Sequence, residues 1–183
     1  MRNGFTQHTV ESAPEDSKPI LQGMQERYQM IPNIAAVMAE SPTITNAYAQ
    51  IAMVLGEDAN LSSAEREVIF MTVSADNDCR YCMAAHSTMS GLDEDTLSAL
   101  RENRPLPSTK LETLRQFARH VNATKGEISD EDIENFLAVG FTREQIFEVV
   151  TAIALKTLTN FTNHIAQTNL DEVFKPQAWK KEL

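Results

Sequence analysis

The sequence predicts an all-α protein, and three observations carry that reading. Capping signals stand at the heads of apolar segments, as Ser62-x-x-Glu65, Ser129-x-x-Asp132 and Thr142-x-x-Gln145. Apolar residues then return at steps of three and four, the period of a helix face. Strand alternation, hairpin turns, fixed-length repeats and low-complexity tracts are all missing from the pattern. At 183 residues and 42% hydrophobic composition the chain can bury one core. A single helical domain is expected over residues 17–170, between a mobile N-terminal arm at 1–16 and a tail at 171–183.

Taken in order, residues 1–16 are polar, carry Pro14 and keep no period, so they read as an arm that is free or laid on a neighbouring subunit. From Ser17 a helix is predicted, with Pro19 in its first turn and a stripe of Ile20, Leu21, Met24 and Tyr28, ending before Pro32. A short helix follows over 33–40, and Ser41-Pro42 opens another that runs to Leu55. The Ser62 box starts a helix through about Ser74 whose Val68, Ile69, Met71, Thr72 and Val73 make it apolar on more than one side, as a central buried helix is. The next helix starts at Cys79, capped by Asp78, and stops at Gly91. Asp93 caps a helix to Asn103, and Ser108 opens one to Thr124. Ser129 opens one that stops at Gly140, and Thr142 begins the long C-terminal helix, read as core from Ile146 to Phe161. Phe174 and Trp179 in the tail are expected to pack on a surface rather than stay in water.

A formal net charge of −10, with no cluster of Lys or Arg, excludes nucleic-acid or anionic-membrane binding through a broad basic surface. No basic region followed by an apolar run opens the sequence, so an intracellular, cytoplasmic protein is expected. In that setting two cysteines spaced C-x-x-C point to redox chemistry or metal binding before a structural disulfide.

The chemistry gathers between Glu67 and His86, in EVIFMTVSADNDCRYCMAAH. On a helix advancing about 100° per residue, Cys79, Cys82 and His86 fall within roughly 60° of one face. Glu67 would lie roughly 18 Å away along one unbroken helix, so the chain must fold back, and Asp76-Asn77-Asp78 is the place for it. The reactive form of a thiol is the thiolate. Proximity to the helix N-terminus favours Cys79 as that thiolate. The spacing of four between Cys82 and His86 favours Cys82, with His86 as its base and Glu67 orienting and charging His86, and carries more weight. A sulfenic acid on one cysteine can condense with the other, one turn away, and an external dithiol must then reduce the pair.

Glu67, eleven residues, then Cys79-x-x-Cys82-x-x-x-His86 resembles the signature of the AhpD-like alkylhydroperoxidases of the carboxymuconolactone decarboxylase-like superfamily. The match is tight over 62–91, and looser at Ile31-Pro32-Asn33 and from Gly140-Phe141-Thr142 to Asn163-His164. The resemblance implies an AhpD-like helical bundle with a central two-helix unit, assembly into dimers, trimers or hexamers, and a thiol peroxidase working without a bound cofactor. Carried over by position, it makes Cys82 the thiol that attacks the hydroperoxide and Cys79 its resolving partner, with Glu67 and His86 in the proton relay. Where the prototype has a second histidine between the cysteines, this chain has Tyr81, a possible auxiliary that donates a hydrogen bond but shuttles protons less readily. That departure bears on the reductant and peroxiredoxin partner the prototype implies.

Other readings stand beside this one. Cys79, Cys82, His86 and Glu67 could hold zinc in a redox-sensing or structural module, although zinc sites usually take thiolates from turns. An enzyme of the same superfamily could act on a carbon substrate, although its decarboxylases generally lack the cysteine pair. His164 reads as a hydrogen-bonded core or subunit-contact residue, and His120 and His8 as surface. Met71, Met83 and Met89 read as packing around the site, available to line a pocket for organic peroxides. Acidic runs at 93–95 and 130–132 read as first-turn dipole partners.

Overall fold

The structure, a computed structural model, describes residues 4–181; residues 1–3 of the expected arm and 182–183 of the expected tail lie outside the described residues. Among the described residues there are nine α-helices and no strand: α1 Lys18–Tyr28, α2 Asn33–Met38, α3 Pro42–Glu57, α4 Ser63–Asp76, α5 Arg80–Met89, α6 Glu94–Arg101, α7 Thr109–Thr124, α8 Asp130–Ala138 and α9 Arg143–Ala166. One-turn 3-10 segments precede α1 at Glu15–Ser17 and follow α9 at Glu172–Gln177. The all-α architecture read from capping and periodicity is the one observed.

All three predicted capping boxes form. At the head of α4, Ser62 N–H donates to Glu65 Oε2 at 2.8 Å and Glu65 N–H to Ser62 Oγ at 3.2 Å. Ser129 with Asp132, and Thr142 with Gln145, repeat the exchange at α8 and α9. Each satisfies backbone donors that a helix start leaves free, and the cap is worth about 1 kcal/mol. Asp93 caps α6 through Thr96 N–H at 2.9 Å. Helix α1 ends at Tyr28 and not at Pro32, because Gln29 turns left-handed at φ 57°.

Helix α4 is the centre. It packs against α5, α6, α7 and α9, and buries Val68, Ile69, Met71, Thr72, Val73 and Ser74. The main core joins these to Leu114 and Phe117 of α7, Phe136 of α8, and Val149, Ala152 and Leu155 of α9. A second, smaller core holds Ile34 and Met38 of α2, Cys79, Tyr81 and Cys82, and Phe174 of the tail. The cysteines therefore sit where α2, α5 and the tail meet.

Both chain ends pack on the helices, which corrects the free arm and agrees with the packing expected of Phe174 and Trp179. The arm is held from His8 onward: His8 N–H donates to Ala36 O at 3.0 Å, His8 Nε2 meets Glu40 at 2.9 Å, and Ala13 is buried. Local period failed to reveal this because the arm is held by caps and by α2, not by a helix of its own. The tail beyond 170 likewise continues the domain. Phe174 is 1% exposed, and Trp179 Nε1 donates to Arg101 O at 2.9 Å.

Phe174→Ala should cost about 3–5 kcal/mol of unfolding free energy, the range for a buried phenylalanine in a core that cannot collapse around the gap. Urea denaturation followed by circular dichroism measures it, and a loss below about 1 kcal/mol would mean that the tail is not part of the core.

Candidate active site

The turn between α4 and α5 brings Glu67 back to the cysteine helix. Asp78 N–H donates to Ala75 O at 3.1 Å and Cys79 N–H to Ser74 O at 2.8 Å, with Asp78 left-handed at φ 52°. This pair of bonds is a Schellman ending, and Asp is among the few residues other than glycine that tolerate its left-handed position. Asp78 therefore closes α4, correcting its expected role as cap of α5. Cys79 is itself the N-cap position of α5, and Cys82 lies three residues inside.

Across this turn His86 Nδ1 meets Glu67 Oε2 at 2.8 Å, so the carboxylate–imidazole contact expected from spacing is direct. The other ring nitrogen, Nε2, is engaged from a second helix. It lies 2.8 Å from Nζ of Lys156 on α9. An ammonium only donates, so Nε2 is the acceptor and Nδ1 carries the proton given to Glu67. Burial pushes the Glu67 carboxyl up, but the electrostatic pull of the His86 ring and its hydrogen bond, with the charges of Lys156 and Arg66, outweigh it and hold the group below its ordinary value.

Lys156 belongs to a buried polar row on α9: Lys156, Thr159, Asn160 and Asn163, at steps of three and four along one face. Asn163 Nδ2 lies 3.4 Å from Cys82 Sγ and 3.8 Å from Cys79 Sγ, and Thr159 Oγ1 is 4.0 Å from Cys82 Sγ. Asn160 is fixed by Asn77 at 3.0 Å and Ser74 at 3.3 Å. Both cysteines are free thiols and buried.

Their surroundings separate them. Burial works against ionising Cys82, but the hydrogen bond from the Cys79 thiol, the charge of Lys156, the electrostatic pull of the polarised His86 ring, and Asn160 outweigh it and pull Cys82 well below the ordinary thiol range. Cys79 is pushed the other way, first because it gives its hydrogen to Cys82 and then by burial. These directions favour Cys82 over Cys79 as the thiolate, and the cation beside it comes from α9.

Tyr81 is committed elsewhere. Its hydroxyl donates to Asp171 Oδ2 at 2.5 Å and accepts from Ile34 N–H at 3.2 Å, while Asn33 N–H donates to Asp171 Oδ1 at 3.1 Å. Burial and the Asp171 hydrogen bond raise the phenol, which stays protonated. Tyr81 ties α5 to α2 and the tail, a positioning role.

A cleft of about 640 Å³ opens beside these groups, walled by Met24, Tyr28, Tyr48, Met53, Phe70 and Met89. Cys82, His86, Glu67, Lys156 and Thr159 reach it, whereas the wholly buried Cys79 does not line it. Met89 is the cleft methionine; Met71 and Met83 are core. Burial first, then nearby Tyr28 and Cys82, pushes the Tyr48 phenol up to about 12, so it is a neutral donor. The zinc reading finds no ligand set: both nitrogens of His86 are taken, and among the described residues no group of three or more His, Cys, Asp or Glu side chains could hold a metal ion. His164 is exposed, which removes its core reading, and His120 meets Asp132 at 3.1 Å on the surface.

Residues 42–105 match the carboxymuconolactone decarboxylase family, so the family resemblance carried by the cysteine segment holds there. No curated protein sequence matches the chain. Among solved structures, an uncharacterised peroxidase-related protein with an alkylhydroperoxidase AhpD core from Ralstonia eutropha JMP134 superposes with a TM-score of 0.82 at 21% identity, over 94% of this chain and 96% of that one. An uncharacterised peroxidase-related protein from Silicibacter sp. TM1040 gives 0.77 at 23% identity, over 94% and 95%. A cysteine-to-alanine variant of the debrominase Bmp8, in complex with 2,3,4-tribromopyrrole, gives 0.78 at 16% identity, over 96% of each chain. These likenesses establish the AhpD-like helical fold.

Asn163→Leu removes the donor shared by both sulfurs while keeping the volume. A hydrogen bond to a charged group is worth about 1.5–3 kcal/mol, so the Cys82 titration should move up by about one to two units. Ultraviolet thiolate absorbance against pH reads the shift, and an unmoved midpoint would show that Asn163 does not hold the thiolate.

Proposed function

We propose that the protein is a thiol-dependent peroxidase that reduces organic hydroperoxides or hydrogen peroxide through the Cys79/Cys82 pair. The observation that carries the reading is the asymmetry of the two cysteines: Cys82 lines the cleft with its thiol pKa depressed, while Cys79 lies behind it, buried and protonated. Cys82 attacks the terminal peroxide oxygen, which breaks the O–O bond and leaves a sulfenic acid on Cys82 and an alcohol or water. Cys79 then attacks the Cys82 sulfur, giving a disulfide and a second product, water. Glu67 and His86 enter the proton relay through Lys156, and Tyr81 holds the helix that carries the thiols. No bound cofactor enters the cycle.

An external dithiol or disulfide-reducing protein returns the pair to thiols, a requirement that suits the reducing cytoplasm. Among the described residues no helix is long and apolar enough to cross a membrane. Assembly into a homo-oligomer is supported by an apolar row on the outer face of α9, where Phe147, Val150, Phe161 and Ile165 are exposed at helical spacing.

A second reading has support from the cleft itself. Tyr28, Tyr48 and Phe70 form an aromatic wall that fits a planar ring, and one protein of this fold is a debrominase. Attack of Cys82 on a halogenated aromatic would use the same thiolate and would release halide.

Stopped-flow reaction of the reduced protein with cumene hydroperoxide and hydrogen peroxide, with thiols counted before and after, tests the proposal. Wild type should lose both thiols rapidly. Cys82→Ser should form no sulfenic acid, and Cys79→Ser should accumulate it. Loss no faster than for a free thiol, together with bromide release from a brominated pyrrole, would move the protein to the second reading. Stoichiometric zinc in protein purified without added metal would sink both.

A further inference from the structure

Lys156 is the buried charge that the sequence-derived relay leaves out. It is 3% exposed, and lysine is almost never so buried without a partner. Among the described residues no carboxylate forms an ion pair with it. Its hydrogen-bond partner is His86 Nε2 at 2.8 Å, and its ammonium stands 5.6 Å from the centre of the Phe70 ring. His86 takes one of its three donors, and Lys156 borders the cleft that Cys82 also lines. Thr159, one turn along α9, touches the Cys82 sulfur at 4.0 Å.

Of the titratable and charged groups around Lys156, Glu67 is already paired with His86, which leaves Cys82 as the unpaired acidic group of the cleft lining. From α4 come Glu67, which is hydrogen-bonded to the imidazole and also feels the Lys156 charge, and Arg66, which adds positive charge. From α5 come His86, Cys79 and Cys82, and Tyr81, whose phenol is bound to Asp171 of the tail. From α3 comes Tyr48, whose phenol is neutral. The Cys82 sulfur is the remaining counter-charge. His86 cannot take the Cys82 proton while its Nε2 lone pair accepts from Lys156 and its Nδ1–H is given to Glu67.

We propose that Lys156 is a catalytic residue: its ammonium is the counter-charge of the Cys82 thiolate, gives its proton to the oxygen that leaves when that thiolate is oxidised, and stays uncharged while the disulfide lasts. The proposal rests on the thiol peroxidase reading for the identity of the oxidant. In the reduced protein Cys82 is thiolate, Lys156 ammonium and Cys79 thiol. As the sulfur bonds to the terminal oxygen of ROOH, the O–O electron pair goes to RO, and Lys156 supplies the proton that makes ROH. Sulfur is oxidised by two electrons and the peroxide reduced by two. Cys79 then displaces hydroxide from the sulfenic sulfur. The neutral amine accepts the Cys79 proton and passes it to that hydroxide, so water leaves and Lys156 remains neutral. The external dithiol brings two electrons and two protons; one proton stays on Cys79 and the other returns to Lys156, restoring the ion pair. The pair never carries net charge, so no step leaves an uncompensated ion in this low-dielectric site. Glu67 and His86 act through Lys156, as positioning residues that hold Nζ toward the cleft.

The test uses Lys156→Met and Lys156→Arg in the full chain, with the nitrogen shift of the Lys156 side chain followed by NMR in reduced and disulfide-oxidised wild type. In Lys156→Met the thiolate titration midpoint should rise by at least about one unit, roughly a tenfold loss of thiolate near neutral pH. In Lys156→Arg the thiolate should persist, because arginine keeps the charge, and alkylation by iodoacetamide, which requires no donated proton, should stay within a few-fold of wild type. Its peroxide reaction should fall by about 10²-fold or more, because guanidinium does not give up a proton. The wild-type lysine signal should change from charged to neutral on disulfide formation. A Lys156→Arg protein reacting with peroxide at the wild-type rate, or a lysine that stays charged in the disulfide form, would overturn the proposal. The NMR and alkylation measurements involve no peroxide, so a wild type inert to peroxide would defeat the preceding reading while the lysine signal still decides this one.

Discussion

A thiolate placed inside a protein is unstable unless a cation and hydrogen-bond donors are brought to it, and the proposed cycle places that requirement on the surroundings of Cys82. Burial alone would raise the thiol and silence it. Removing one partner of a buried charge pair typically costs 3–5 kcal/mol, so the groups around Cys82 must be held by structure that does not yield. Helix α9 supplies Lys156, Thr159, Asn160 and Asn163 on one face, and α4 supplies Glu67 behind His86. The main core of α4, α7, α8 and α9 fixes the distance between those helices. The smaller core of α2, α5 and the tail fixes the cysteine helix against them.

The same requirement explains features that look incidental one at a time. The left-handed Asp78 lets α4 end and α5 begin within a few residues, which brings Glu67 alongside His86. The Tyr81–Asp171 bond closes α5 onto α2 and the tail, so the end of the chain is structural support for the thiols. Even the orphaned Asn163 Oδ1, buried with no partner among the described residues, follows from turning the amide so that its NH2 faces the two sulfurs. In a protein with a formal net charge of −10, a buried lysine lines the same cleft as the thiol whose ionisation is favoured.

The helical fold was legible because its signals are local. Each capping box needs only four consecutive residues, and the apolar period of α4 announces a buried helix. The pairing of Glu67 with His86 was legible for a similar reason: two helices separated by Asp76-Asn77-Asp78 must fold back. The α9 contribution escaped because its Ile, Val, Leu and Phe residues dominate the period and mark the helix as core. The signal was there as Lys156, Thr159, Asn160 and Asn163, polar residues at steps of three and four inside that period, which in a buried helix imply a polar partner. Asp171 and Phe174 had no such signal, since their partners lie 90 or more residues away and the local chain is irregular. The packing of the arm from His8 onward was illegible for the same reason.

The account stands on Cys82 being the thiolate of the pair. The most direct measurement is competitive alkylation of the reduced wild-type protein across a range of pH, with the modified residue identified by peptide mapping. Cys82 should be alkylated at mildly acidic pH, well below the point at which a free thiol ionises, with Cys79 unmodified until the protein unfolds. Earlier or equal modification of Cys79 would contradict the assignment, and with it the arrangement of α9 charge around Cys82.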